Sequence, residues 1–279
     1  MKLCTCTMIK DEHRYLREFI EFYLNLGFDY IILFEDINSK SHNDIVKEYD
    51  NVVLFKLLDI ANTNEINKIM NKEYRIGIMW EIFYRKFKNI FDGVFFIDVD
   101  EYINASKDEF LHYIKDIYEN TNKHAIKFKW QTMSANGYIS DPGNGAEYSL
   151  IDTYTQPMQS SFNDMNDNGK PMIFPNRLWD SYEFVRIPHG FGYVYYGCYP
   201  EEICNYFEET WQYDPPFRIR HYLTKSWEEY CNRLFVRGEM DNNSYSRKMH
   251  DFFIINPDLQ DKENELINKE NRKYIYNEI

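Results

Sequence analysis

The chain has 279 residues, long enough to bury a substantial core in one α/β domain. Its apolar fraction of 44% and aromatic fraction of 18% exclude a disordered chain. A formal net charge of −13 repels a nucleic-acid backbone and argues against that partner, yet a bound divalent cation would let carboxylates face a small diphosphate. Charges interrupt the opening MKLCTCTMIKDEHRYL before any stretch of signal-peptide length, and no run of about 18 apolar residues follows. A soluble, cytoplasmic product without a transmembrane segment is therefore expected. The five cysteines, Cys4, Cys6, Cys198, Cys204 and Cys231, are odd in number and lack CxxC spacing, so no zinc or disulfide framework is expected.

Leu3 to Met8 is a short β-rich run in which Cys4 and Cys6 alternate with Thr5 and Thr7. Asp11 has the chemistry of an N-cap for a helix carrying Leu16, Phe19, Ile20, Tyr23 and Leu24, which Gly27 ends. Tyr30 to Phe34 is a continuous apolar strand running into the acidic turn EDINSKS. Asn43 to Tyr49 predicts a short helix, Val52 to Phe55 a third strand, and Glu65 to Lys88 one long helix, after which Gly93 opens the strand VFFI. Ser106 and Glu109 have capping-box spacing before a helix through about Tyr118, and the strand AIKFKW follows. Gly137 to Pro216 is rich in glycine, proline and aromatics and reads as loops and short strands over the sheet edge. Ser226 and Glu229 repeat the capping-box spacing before a helix to about Phe235, and the tail from Asp258 is charged.

Strands and helices in alternation predict a mostly parallel sheet covered on both faces, with ligands beyond the carboxyl ends of its strands. Those ends carry Lys10 to Glu12, Glu35 to Asp36 and Asp98 to Glu101. In FFIDVDEYI, continued strand geometry would place Asp98 and Asp100 on one face and Val99 on the other. Two hard oxygen ligands so placed can hold Mg²⁺ or Mn²⁺ against a diphosphate. A bare D-x-D also serves as a solvated turn or a helix cap.

Four stretches together resemble glycosyltransferases of the GT-A fold, in the branch formed by family 2-like and family 92-like enzymes. They are IKDEHRYLREFIEFYLNLGFDYIILFED, FFIDVDEYI, WQTMSANG and RHYLTKSWEEYCNRLFVRG, and they span roughly residues 9 to 238. The third departs from the usual "W-x-x-F-G-x-x-G" box, with Met133 and Ser134 in place of Phe and Gly. The resemblance implies a single Rossmann-like GT-A domain: a mixed, mostly parallel sheet flanked by helices. Its nucleotide part would be 1–103, its loop-rich acceptor part 104–240 and its C-terminal helical tail 241–279.

The resemblance further implies a metal-dependent, inverting transfer from a nucleotide-sugar donor, a UDP-sugar, to a glycan or other hydroxyl acceptor. Asp98, Asp100 and His221 would be the metal ligands, and an imidazole in the set tilts the choice from Mg²⁺ toward Mn²⁺. Thr5, Thr7, Glu12 and Asp36 would meet base and ribose, Asp98 and Val99 would flank the nucleotide, and Arg75 and Lys225 would meet phosphate. An extra residue near Glu35 and Asp36 leaves open which of the two faces the base. The acceptor base falls among Asp141, Asp180, Glu183, Glu201 and Glu202, with the Glu201-Glu202 pair nearest the family's acidic pair. His189 would only pack or stabilise a loop. The alternative is a haloacid-dehalogenase-like phosphatase using Asp98 as nucleophile, although Glu101 and Tyr102 do not suit that motif.

Overall fold

The structure, a computed structural model, describes residues 1–70, 75–158, 166, 168–177, 211–212, 215–237 and 249–274. The chain opens with β1 (Leu3–Ile9), buried along its whole length because strands flank it on both sides. The helix α1 (Leu16–Leu26) buries Leu16, Phe19, Ile20, Tyr23 and Leu26 on one face. Gly27 ends it at φ 108°, a left-handed conformation that glycine adopts without a Cβ clash. Asp11 is not its N-cap. The amides of Tyr15 and Leu16 first turn back onto the Glu12 carbonyl, at 3.1 and 3.0 Å, so the helix starts a turn later than expected. Asp11 instead sits at φ 54°, and its carboxylate accepts the Lys40 amide at 2.9 Å.

Next come β2 (Tyr30–Glu35), α2 (Asn43–Val46), β3 (Val52–Lys56) and α3 (Leu57–Ile60). The single helix expected over 65–88 is two, α4 (Thr63–Met70) and α5 (Arg75–Phe87). Then follow β4 (Gly93–Phe96), β5 (Glu101–Ile103) and α6 (Lys107–Asn120), whose Ser106–Glu109 capping box forms in both directions. The second half contributes β6 (Ala125–Thr132), α7 (Leu150–Thr153), β7 (Gly169–Ile173), β8 (Trp211–Gln212) and β9 (Ile219–His221). α8 (Trp227–Asn232) runs into a π-helical turn at Arg233–Arg237, and α9 (Met249–Ile255) and α10 (Glu263–Tyr274) follow.

The sheet order is β3-β2-β1-β4-β7-β6-β9-β5, with β8 beside β6. The first four strands are parallel, β7 is antiparallel to both β4 and β6, and β9 runs parallel to β6 and antiparallel to β5. This is the expected mixed, mostly parallel α/β sheet flanked by helices. Residues of β1 alternate between two apolar layers. Leu3 and Ile9 join Phe19, Tyr23, Phe95, Tyr102 and Phe110, whereas Cys4, Cys6 and Met8 join Phe34, Trp80, Phe83 and Phe96. A third cluster around Trp227, Tyr230, Phe252 and Phe253 holds the C-terminal helices on α8.

β7 joins the first half through β4 and is pressed on its other side against β6, with Phe128↔Lys170 and Lys129↔Gly169 in register. A Cβ on Gly169 would stand 1.9 Å from the Phe128 carbonyl oxygen, so only glycine lets the two backbones close there. Gly169→Ala is expected to cost about 1–3 kcal/mol, the usual range for overpacking. An unchanged midpoint in urea unfolding would refute this.

Candidate active site at the end of β4

β4 stops at Phe96, and the chain turns rather than continuing as strand, with the Glu101 amide donating to the Asp98 carbonyl at 3.1 Å. This corrects the expectation that Asp98 and Asp100 share one strand face. The two carboxylates diverge. Asp98 accepts the Lys170 ammonium at 2.6 Å, while Asp100 accepts that of Lys225 at 3.1 Å with Arg233 Nη1 at 3.7 Å. Val99, between them, is buried in the core beneath the turn.

Electrostatics at the turn are set by burial competing with these cations. Burial works to raise the Asp100 carboxyl, but Lys225, His221 and Arg233 outweigh it and hold the group well below the usual carboxylate range. For Lys170 burial works to lower the ammonium, and Asp98 and Glu101 overcome it. Glu101 is pushed well above its ordinary value by burial, aided by the charges of Asp98 and Asp100.

Glu101 joins the site through the sheet, because the β5–β9 register sets it opposite His221. Its Oε2 accepts the Asp98 amide at 3.1 Å. Its Oε1 is buried without a hydrogen bond, 3.9 Å from Lys170 Nζ and 3.8 Å from His221 Nε2. The neighbouring Tyr222 amide donates to the Asp100 carbonyl at 2.9 Å, and the Trp130 ring lies over His221 at 4.6 Å between centroids. Sequence reasoning missed Glu101 and Lys170. The first was visible beside the D-x-D; the second has no local signal, since only strand pairing brings it here.

Among the described residues no three His, Cys, Asp or Glu side chains are gathered around one point as a finished metal cage. The donor chemistry nonetheless suits a hard divalent cation: His221 Nε2 lies 3.8 Å from the unbonded oxygen of Glu101, and His221 is among the groups that lower the Asp100 carboxyl. Asp98 stands beside them but is held by Lys170.

Thr5 and Thr7 lie within β1, fully buried, with hydroxyls that make no hydrogen bond. Glu12 and Asp36 sit at the adjoining carboxyl ends of β1 and β2. The Glu12 amide donates to His42 Nε2 at 3.0 Å, and the Asp36 amide donates to the Ile9 carbonyl at 2.9 Å. Glu35 is taken up by His42, accepting its amide at 2.8 Å and lying 3.0 Å from Nδ1, while Asp36 accepts the Asn38 amide at 2.9 Å. Arg75 opens α5, but its side chain lies outside the described residues, as do Asp180, Glu183, His189, Glu201 and Glu202.

A cleft of about 200 Å³ opens next to Asp100, lined among others by Asp11, Arg14, Tyr15, Asp141, Lys225 and Arg233. Its walls meet at Glu229, which accepts hydrogen bonds from Tyr15, from Tyr148 at 2.7 Å, from Tyr154 at 2.9 Å and from Ser226 Oγ at 2.9 Å. Arg14 reaches Asp141 at 2.7 Å and Glu229 at 3.4 Å. Asp141 also accepts the Gly143 and Gly145 amides at 2.9 and 2.8 Å, which makes it an organiser of its loop.

The sequence matches no protein-family model and no curated protein. Among solved structures it is similar to S. aureus TarS, at 15% identity and a TM-score of 0.33, over 51% of this chain and 24% of that one. It is also similar to glucosyl-3-phosphoglycerate synthase from Mycobacterium tuberculosis, solved with Mn²⁺, uridine diphosphate and phosphoglyceric acid. There the identity is 11% and the TM-score 0.35, over 63% and 56% of the two chains. HddC from Yersinia pseudotuberculosis shares 8% identity at a TM-score of 0.39, over 79% and 93%. The chain thus spans 24% and 56% of the first two.

Two outcomes follow from the site's electrostatics. A carboxylate depressed in the folded state stabilises it above the ordinary carboxylate range, and that contribution is lost as pH falls through the folded value. Asp100→Asn should therefore flatten the fall in thermal midpoint below about pH 4, where unfolded aspartate protonates; identical acid slopes would remove Asp100 from this role. Glu229→Ala, which takes the shared charged acceptor from three tyrosine hydroxyls and leaves them only one another, and removes one partner of Arg14, should cost about 2–4 kcal/mol in urea unfolding. A loss under about 0.5 kcal/mol would show the hub to be dispensable.

Proposed function

We propose that the chain is a glycosyltransferase that moves a sugar from a nucleoside-diphosphate sugar, a UDP-sugar, to a hydroxyl of a glycan acceptor with the help of a divalent cation. The observation that carries this reading is the turn after β4. It sets Asp100 beside His221 and two cleft-lining cations at the carboxyl edge of a parallel sheet. The four sequence boxes support it in order along the chain. Asp100 and His221, with Asp98 or Glu101 beside them, would hold Mn²⁺, or Mg²⁺ with less help from the imidazole. Bound there, the cation would offset negative charge on the departing diphosphate.

The chain's own residues do the rest. Lys225 and Arg233, which the cleft exposes beside Asp100, are placed to receive phosphate oxygens, Lys225 as a point charge and Arg233 as a planar fork. Glu12 and Asp36, at the ends of β1 and β2, are assigned to the base and ribose. Thr5 and Thr7, buried inside β1, would support that edge from beneath. Arg75, Val99 and the Glu201-Glu202 pair keep the roles the resemblance implies: phosphate, nucleotide packing and acceptor base.

Thermal shift with a panel of nucleoside diphosphates, each with and without Mn²⁺, tests the reading. A ligand that binds only the folded state at a hundred times its Kd adds about 2.7 kcal/mol. The expected result is a rise in midpoint that needs both metal and nucleotide and disappears in Asp100→Asn, which keeps its circular dichroism. No shift with any nucleotide refutes the proposal. Released diphosphate from a panel of sugar nucleotides then identifies the donor.

A further inference from the structure

Among the described residues Lys170 is a buried charge to which the proposed transfer assigns no part. Its side chain is 4% exposed, on a strand fixed on both sides by the Phe95↔Met172 and Phe128↔Lys170 pairings. A buried ammonium is tolerated only with counter-charge close by. Lys170 has it in Asp98 at 2.6 Å and Glu101 at 3.9 Å, with the Trp130 ring 5.8 Å from the ammonium. Three carboxylates, Asp98, Asp100 and Glu101, fall within four consecutive residues and are met by Lys170, Lys225 and Arg233. The three cations differ in access: Lys225 and Arg233 line the cleft, whereas Lys170 faces the carboxylates from inside the sheet.

We propose that Lys170 is a positioning residue of the donor site that acts through Asp98. It offsets one carboxylate so that a divalent cation alone binds weakly and becomes firmly held only together with a nucleoside diphosphate. The inference rests on the glycosyltransferase reading and deepens it. With Lys170 in place the arriving cation meets carboxylates already balanced by ammonium and guanidinium groups, and gains little Coulomb attraction. A diphosphate changes this by drawing Lys225 and Arg233 toward its own oxygens, leaving Asp100 to the cation. Metal and nucleotide then strengthen each other's binding by one shared factor, as linkage requires. A rigid Lys170 keeps Asp98 from closing on the cation in the meantime.

The test is titration of the full-length protein with Mn²⁺, read by calorimetry or by the electron paramagnetic resonance of free Mn²⁺, with and without saturating UDP. In the wild type UDP should tighten Mn²⁺ binding at least tenfold. In Lys170→Met, Mn²⁺ alone should bind three- to tenfold more tightly while the enhancement by UDP shrinks. Lys170→Arg should restore the wild-type pattern. A merely structural lysine would instead weaken Mn²⁺ binding in both conditions, and that result overturns the proposal. If Lys170→Met does not fold, the wild-type titration still decides, because equal Mn²⁺ affinity with and without UDP also overturns it. Failure of the parent reading looks different: no nucleoside diphosphate alters Mn²⁺ binding or the thermal midpoint of the wild type at all.

Discussion

Charge placed at the end of an apolar strand must be answered by charge from elsewhere, and the second half of this protein is arranged to answer it. β4 delivers Asp98, Asp100 and Glu101 from a run of fully buried apolar residues into a turn where Asp98 and Asp100 are partly exposed and Glu101 is fully buried. None of the answering cations is local. Lys170 comes from β7, Lys225 from the segment after β9, and Arg233 from the π-helical turn after α8. Each must arrive through a strand pairing or a helix cap, so sheet order, the tight β6–β7 seam and the start of α8 all serve the same electrostatic requirement.

A second carboxylate plays the same part at the cleft. Glu229 closes the α8 capping box and at the same time collects hydroxyls from Tyr15, Tyr148 and Tyr154. One residue thus ties the loop after β1 to the loop before α7 and to the first turn of α8. Burial and the Glu229 charge push all three phenols up, so they remain neutral donors at any working pH. The cleft walls are therefore stiff where they meet, and the cations lining it are held at fixed places.

Much of this was readable from the sequence, for identifiable reasons. Buried parallel strands announce themselves as apolar runs, which is why β2 and β4 fell where YIILF and VFFI predict. Both capping boxes were visible because the hydrogen bonds they use are local. The failures are equally physical. Asp11 looked like a cap but accepts from Lys40 across the loop after β2. Alternation put Asp98 and Asp100 on one face only under the assumption of continued strand, and the four-residue turn from Asp98 to Glu101 breaks it. Lys170 sits 72 residues from Asp98, and no periodicity encodes a contact made across the β4–β7 pairing.

The β5–β9 ladder has a consequence for how such a chain can change over time. It is three residue pairs long, and together with the β6–β9 pairing of Thr132 with His221 it sets the height of His221 against Glu101. A slip of one residue would turn His221 to the opposite face of the sheet. Between the two strands lie β6 and β7, held by registers of their own, whereas the loops joining paired strands can change length cheaply, at about 0.6 kcal/mol for each doubling. A lineage that remodels what the chain recognises on that side must therefore keep β6, β7 and Lys170 in place, and change is cheapest in the connections between paired strands.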